Sequence, residues 1–242
     1  MAAAVLSNQS TLSHLLTFIA TTAGRDKILR TLQYFSRFYG WYLRRASYPQ
    51  SAIDPINAIK KQFEITRKVL RIGNFIEKFN AASIALNRKN PIDPVLRYLT
   101  VGHHLGYGAY LAVDTFTVID VIGVRKLANT KILQKSGYRA WMAGLTCSVG
   151  AGIYSLWKLQ QKEKTLDLKV GKGAIEAKRI HRERFTTSVQ LVSNLCDLTI
   201  PISALRFAKL DDGVVGIAGA LSSLIGVWFQ WRKTAFSEPR GR

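Results

Sequence analysis

Only two cysteines, Cys147 and Cys196, occur in the 242 residues, and both lie in apolar stretches. Their number and setting exclude a disulfide framework and suit a reducing compartment or lipid. Proline is sparse, with six in all, and no stretch shows the apolar–polar alternation of a half-buried strand. Acid is scarce as well: 15 Asp and Glu stand against 35 Lys and Arg, a formal charge of +20. Disordered polycations are poor in apolar residues, whereas 48% of this chain is hydrophobic. Greasy and basic together, the composition points to a membrane. The first 24 residues hold neither Lys nor Arg, which leaves no basic region for a secretory signal and no Arg-rich presequence.

Catalytic signatures are missing too. Ser155 and Lys158 match a serine–lysine spacing without the companion motifs that acyl transfer needs. Gly171, Lys172 and Gly173 follow no strand and lack the later glycine of a dinucleotide loop. His103 and His104 are adjacent, so on a helix they diverge by about 100° and cannot chelate one metal as an i, i+4 pair would. The reading is a protein without enzymatic turnover, metal or cofactor.

Two uncharged runs have bilayer length, for which about 20 helical residues suffice. Residues 213–231 follow Asp211 and Asp212, which suit the capping of a helix start, precede Arg232 and Lys233, and carry Trp228 and Trp231 where an interfacial aromatic belt belongs. Residues 140–157 lie between Arg139 and Lys158, and Ala140, Gly144, Ser148 and Gly152 recur at every fourth position, a small-residue row suited to close helix packing and self-association. Segments 98–124, with His103, His104, Asp114 and Asp120, and 185–205, with Asp197 and Pro201, are apolar but carry ionisable groups that cost about 2.5–3.5 kcal/mol each at mid-bilayer. With four spans, 28 of the 35 basic residues fall on one side; with two, 24 do. Both counts place the two termini together, on the cytosolic side by the positive-inside tendency. The expected architecture is all-α: an integral membrane protein with N-terminal amphipathic helices and a bundle of two to four membrane helices. Its parts are a basic region over 1–97, a membrane hairpin over 98–157, a charged loop over 158–184, and a C-terminal membrane region over 185–242.

The N-terminal region is basic, aromatic and helical in period. Ile28, Leu32, Phe35, Tyr39 and Tyr42 form one stripe, with Arg30, Arg37 and Arg44 opposite. Asp54 and Pro55 read as a helix start, opening a rod that continues to about residue 89 with Gly73 as a point where it can bend. Asn90, Pro91, Asp93 and Pro94 then mark the boundary with the membrane part, Asp93 and Pro94 repeating the cap pattern. Between 55 and 80 its apolar stripe is Ile65, Val69, Ile72, Ile76 and Phe79, and Lys60, Lys61, Arg67, Lys68, Arg71 and Lys78 fill the remaining arc. Such a helix lies among anionic headgroups with its apolar side sunk by about 5–10 Å. Expanding one leaflet alone bends a membrane. A soluble nucleic-acid binder shares the basic pattern but leaves 213–231 unexplained. A solute channel built on His103, Asp114 and Asp120 is a further alternative.

Gly24, Arg25, Asp26 and Lys27, then Gln33, Tyr34, Phe35, Arg37 and Phe38, and later Arg67, Lys68, Arg71, Gly73 and Phe75, resemble the peroxin-11 family of peroxisomal membrane-proliferation proteins. The resemblance runs on through the hydrophobic half to Trp231. It implies a multi-pass peroxisomal membrane protein with cytosolic termini that elongates the organelle before fission. It further implies homo-oligomers, cooperation with a dynamin-related GTPase and its fission adaptor, and a membrane-deforming helix at 55–80. The spans predict that alkaline carbonate leaves the protein in the membrane pellet; release into the supernatant contradicts them.

Overall fold

The computed structural model describes residues 2–88, 93–126, 128–165 and 171–235, with residues 2–10, 171, 172 and 174 given through the backbone alone. Among them are eight helices and no strand: α1 (Ala2–Ala20), α2 (Thr22–Arg45), α3 (Gln50–Leu70), α4 (Asn74–Leu86), α5 (Pro94–Val121), α6 (Thr130–Lys164), α7 (Gly171–Ala204) and α8 (Asp212–Ala235). The helices divide into two compact units, α1–α3 with α8, and α4–α7.

In the first unit, α2 is packed between α8 and α3. The Thr21 hydroxyl accepts from the Gly24 amide at 2.9 Å, capping the start of α2. From there α2 and α8 run antiparallel along their length. Trp41 lies on Gly213, Phe38 on Gly216, Tyr34 on Gly219 and the Lys27 stem on Gly226. A Cβ on Gly219 would stand 2.2 Å from the Tyr34 ring, so only glycine fits there. His14 meets the Trp231 carbonyl at 3.0 Å and the Thr234 hydroxyl at 3.1 Å, fastening α1 to the end of α8. On another side of α2, Gly40 receives Ile56 and Asn57 of α3. Arg67 donates to Asp26 at 3.0 Å and to Gln33 at 2.5 Å.

The second unit is an antiparallel succession. Asp93 caps α5 by accepting from the Val95 amide at 2.9 Å, with Pro94 in the first turn, as the sequence leads one to expect. Asp93 also bonds Lys158 at 2.5 Å and the Tyr154 hydroxyl at 2.8 Å, tying α5 to α6. These bonds, the one from Lys158 foremost, hold its carboxyl down at about 2. The stability it contributes is full above the ordinary carboxylate range and is lost as pH falls toward that value. Gly106 presses on the Ala140 carbonyl and Gly144, bringing α5 and α6 into backbone contact. Phe79 of α4 seats on Gly108.

Three expectations are corrected. The helix carrying Asp54 and Pro55 begins a turn earlier, at Gln50, and Asp54 accepts from the Gln50 side chain at 2.6 Å instead of capping a helix start. The rod over 55–89 is not continuous: the backbone turns over residues 71–73, with Gly73 at φ +82, a conformation that favours glycine. The stretch 158–184 is largely helix, not loop, because its Ala, Glu, Lys and Arg are good helix formers and Lys162–Glu176 and Arg184–Glu163 pair α6 with α7. Residues 166–170, within that stretch, and the expected boundary at Asn90 and Pro91 lie outside the described residues.

Among the described residues one helix, α8, is long and apolar enough to cross a membrane. Its start matches expectation, the Asp211 carboxylate accepting from the Gly213 amide at 3.3 Å. The run 140–157 lies within α6. Overpacking costs roughly 1–3 kcal/mol, so Gly219→Leu is expected to lower the thermal midpoint of the purified protein. Gly150→Ala, whose Cβ would sit 3.7 Å from Leu99, should leave it unchanged. A Gly219→Leu protein that melts like the parent contradicts this α2–α8 register.

Candidate membrane interface

The residues expected to meet lipid are shared between two helices and the turn joining them. Lys60, Lys61, Ile65, Arg67, Lys68 and Val69 belong to α3; Arg71 and Ile72 fall in the turn; Ile76, Lys78 and Phe79 belong to α4. Val69, Ile72 and Ile76 are exposed, Ile76 to 63%, and Phe79 is partly so. Ile65 is half-buried. Lys61 is open to solvent, and Lys60 and Lys68 are half-buried. Lys78 sits 5.5 Å from the centre of the Tyr107 ring, a cation–π contact.

Two of the six cations point inward. Arg67 is buried in its bond to Asp26. Arg71 bonds Asp114 at 2.7 Å, with both side chains nearly buried. Breaking either pair by removing one partner would leave a buried charge uncompensated, which costs about 3–5 kcal/mol. These two arginines join helices within the fold, which sets them apart from the four lysines of the segment. Sequence periodicity could not assign them differently, because helical phase places all six on one arc and does not say which carboxylate folds against it.

The small-residue row of α6 is brought together with neighbours inside the chain. Gly144 meets the His103 carbonyl and the Tyr107 amide of α5. Ser148 accepts from Asn194 of α7 at 2.8 Å, and Gly152 takes Leu191. The Ala140 carbonyl faces Gly106. Within this chain the neighbours of the row are α5 and α7.

The ionisable residues of α5 sit beside an aromatic cluster. Tyr110 stacks on Trp141 at 4.9 Å between centroids and neighbours Tyr107 and Tyr138. Asp114 is held by Arg71, and the His103 ring nitrogen lies 3.3 Å from the Gly144 carbonyl. Among the described residues no group of three or more His, Cys, Asp or Glu is placed to hold a metal ion.

The partners of the inward arginines were not identified from sequence. Asp26, Gln33, Asp114, Asp212 and Ser222 all serve in this way. The one available signal was scarcity: with 15 acids for 35 bases, each Asp within a basic or apolar stretch is a candidate counter-ion.

The family model for Peroxisomal biogenesis factor 11 (PEX11) matches residues 12–231. The Peroxisomal membrane protein 11 homolog of Dictyostelium discoideum is 26% identical, with 92% of this chain and 95% of the relative covered. Peroxisomal membrane protein PMP27 of Saccharomyces cerevisiae is 24% identical over 90% of this chain and 93% of its own length. Peroxisomal membrane protein 11B of Homo sapiens is 21% identical over 87% and 93%. No solved structure matches. With nearly the whole chain inside the family's boundaries, and relatives matched almost end to end, this protein belongs to the peroxisomal biogenesis factor 11 family.

Proposed function

We propose that this protein remodels the peroxisomal membrane, elongating it by inserting the basic amphipathic segment 55–80 into the cytosolic leaflet. The observation that carries this reading is the exposure of Val69, Ile72 and Ile76 in a segment whose lysines flank them. Val69, Ile72 and Ile76 stay uncovered, and Phe79 partly so, while Arg67 and Arg71 are tucked away, which is the reverse of what water selects. Lys60, Lys61, Lys68 and Lys78 each add about 1 kcal/mol of attraction to an anionic surface. Inserted volume in one leaflet then bends the bilayer without any covalent chemistry. The turn at Gly73 makes the wedge two short helices instead of one rod.

The protein acts as a multi-pass membrane protein with both termini cytosolic, and self-associates. Its family resemblance supports cooperation with a dynamin-related GTPase and its fission adaptor. Catalytic turnover has no place in this mechanism. A pore for small solutes would draw on Asp114, but that carboxylate is bonded to Arg71, so remodelling is the better-supported reading.

Full-length protein reconstituted into vesicles containing anionic phospholipid is expected to draw tubules, and electron microscopy reads this directly. Ile76→Glu should abolish tubulation while membrane retention persists, because α8 still anchors the chain. Tubules indistinguishable from those of the parent protein would contradict the wedge.

A further inference from the structure

We propose that α2 is immersed among lipid acyl chains beside α8, presenting Leu32, Phe35, Tyr39 and Tyr42 to the bilayer. The α2 stripe is apolar and regular in the sequence, and in a soluble protein it would face the core with the arginines in water. The structure has it the other way round. Between residues 28 and 43, every exposed side chain is Leu, Phe or Tyr, with Phe35 at 57%.

Within that stretch the two arginines, Arg30 and Arg37, are turned inward and given partners, and Arg44, itself exposed at the helix end, shares one of them. Arg30, only 8% exposed, donates to the Ser222 hydroxyl at 3.3 Å and lies over the Tyr34 ring. Arg37 donates to one Asp212 oxygen through Nε at 2.9 Å and Nη2 at 2.6 Å, and Arg44 donates to the other at 3.2 Å. Burying a guanidinium is unfavourable until its partners offset the lost hydration. A helix that accepts this cost while leaving two tyrosines, a phenylalanine and a leucine outside is arranged for a solvent other than water.

The outer face of α8 continues the pattern. Among residues 213–231 the exposed side chains are Val214, Ile217, Leu221 and Leu224, and the buried ones are Val215 and the small residues Gly213, Gly216, Gly219, Ser222 and Ser223. Both outer stripes step by three, four and three residues. Because α2 keeps antiparallel register with α8 from Trp41 on Gly213 to Lys27 on Gly226, the two helices share their depth in any membrane that α8 enters. Lipid also demands that polar groups be satisfied within the protein. Thr31 and Ser36 comply, bonding their own helix at the carbonyls of Lys27 and Leu32 at 3.0 and 2.8 Å. The contrast with α3 is direct, since its exposed residues include Asp54, Lys61, Gln62, Glu64 and Thr66. The acyl-facing surface of this unit therefore includes α2 and α8, and excludes the polar side of α3. Charge conceals α2 from any search for uncharged runs.

The test uses the full-length protein carrying p-benzoylphenylalanine in place of Phe35 or Tyr39, reconstituted in phosphatidylcholine vesicles and irradiated. Mass spectrometry is expected to find phospholipid adducts at both positions at a yield close to that of the same probe at Ile217, and several-fold above the yield at Asp54, which is exposed and lies outside the segment 55–80. Yields at 35 and 39 equal to that at 54, or crosslinks from them to a second copy of the chain, overturn the proposal. Should the substituted proteins fail to insert, the unsubstituted protein in vesicles whose phospholipid carries an acyl-chain diazirine gives the same readout. Adducts within residues 31–43 support immersion, and labelling confined to α8 overturns it. The outcome is independent of the wedge, since loss or retention of tubulation in Ile76→Glu leaves these adducts unaffected.

Discussion

A guanidinium lying under an apolar surface must find an acceptor, and much of this structure follows from where the arginines find theirs. Arg30, Arg37, Arg67 and Arg71 all point into the protein, to Ser222, Asp212, Asp26 with Gln33, and Asp114 respectively. Each contact joins one helix to another: α2 to α8, α3 to α2, and the turn before α4 to α5. A buried pair of this kind adds little over an apolar substitute, yet breaking it is costly, so it fixes which face of each helix turns inward. Once the arginines are committed inward, the aromatic and aliphatic stripes are left outside.

Small residues make those contacts possible. Gly213, Gly216, Gly219 and Gly226 let the bulky row Trp41, Phe38, Tyr34 and Lys27 come down onto α8. Gly106 and Gly144 do the same between α5 and α6. In lipid there is no hydrophobic gain from bringing helices together, so close backbone approach and interhelical hydrogen bonds carry the association. The fold thus follows membrane packing rules in helices such as α2 that hydropathy alone would assign to water.

Local chemistry in the sequence was legible where one residue decides the outcome. Asp93 with Pro94 starts α5, and Asp211 caps α8, as their side-chain chemistry requires. The period of α2 was equally clear, but period does not say which face turns inward, and that depends on Asp212 and Ser222, some 180 residues away in the chain. Gly73 marked a weak point in a long helix, whereas its left-handed backbone, which ends the rod there, is visible only in the structure. The charged stretch after α6 looked like a loop because Gly171 and Gly173 stand in it. At the first turn of a helix glycine does little harm, and pairing across α6 and α7 supports the rest. Within the candidate interface the same limit applies. Periodicity set Arg67 and Arg71 beside four lysines, and long-range carboxylates separated them.

A membrane protein of this family therefore need not hide its charge to sit in lipid; it needs to aim that charge. The most direct check of this account is hydroxyl-radical footprinting of the full-length protein in lipid nanodiscs, read residue by residue. Phe35, Tyr39 and Tyr42 stand exposed on the protein, as does Tyr48 just beyond the end of α2. If lipid covers the outward stripe, the first three resist oxidation while Tyr48 is modified readily. Oxidation of all four at comparable rates would mean that water, not lipid, surrounds α2, and would contradict the account.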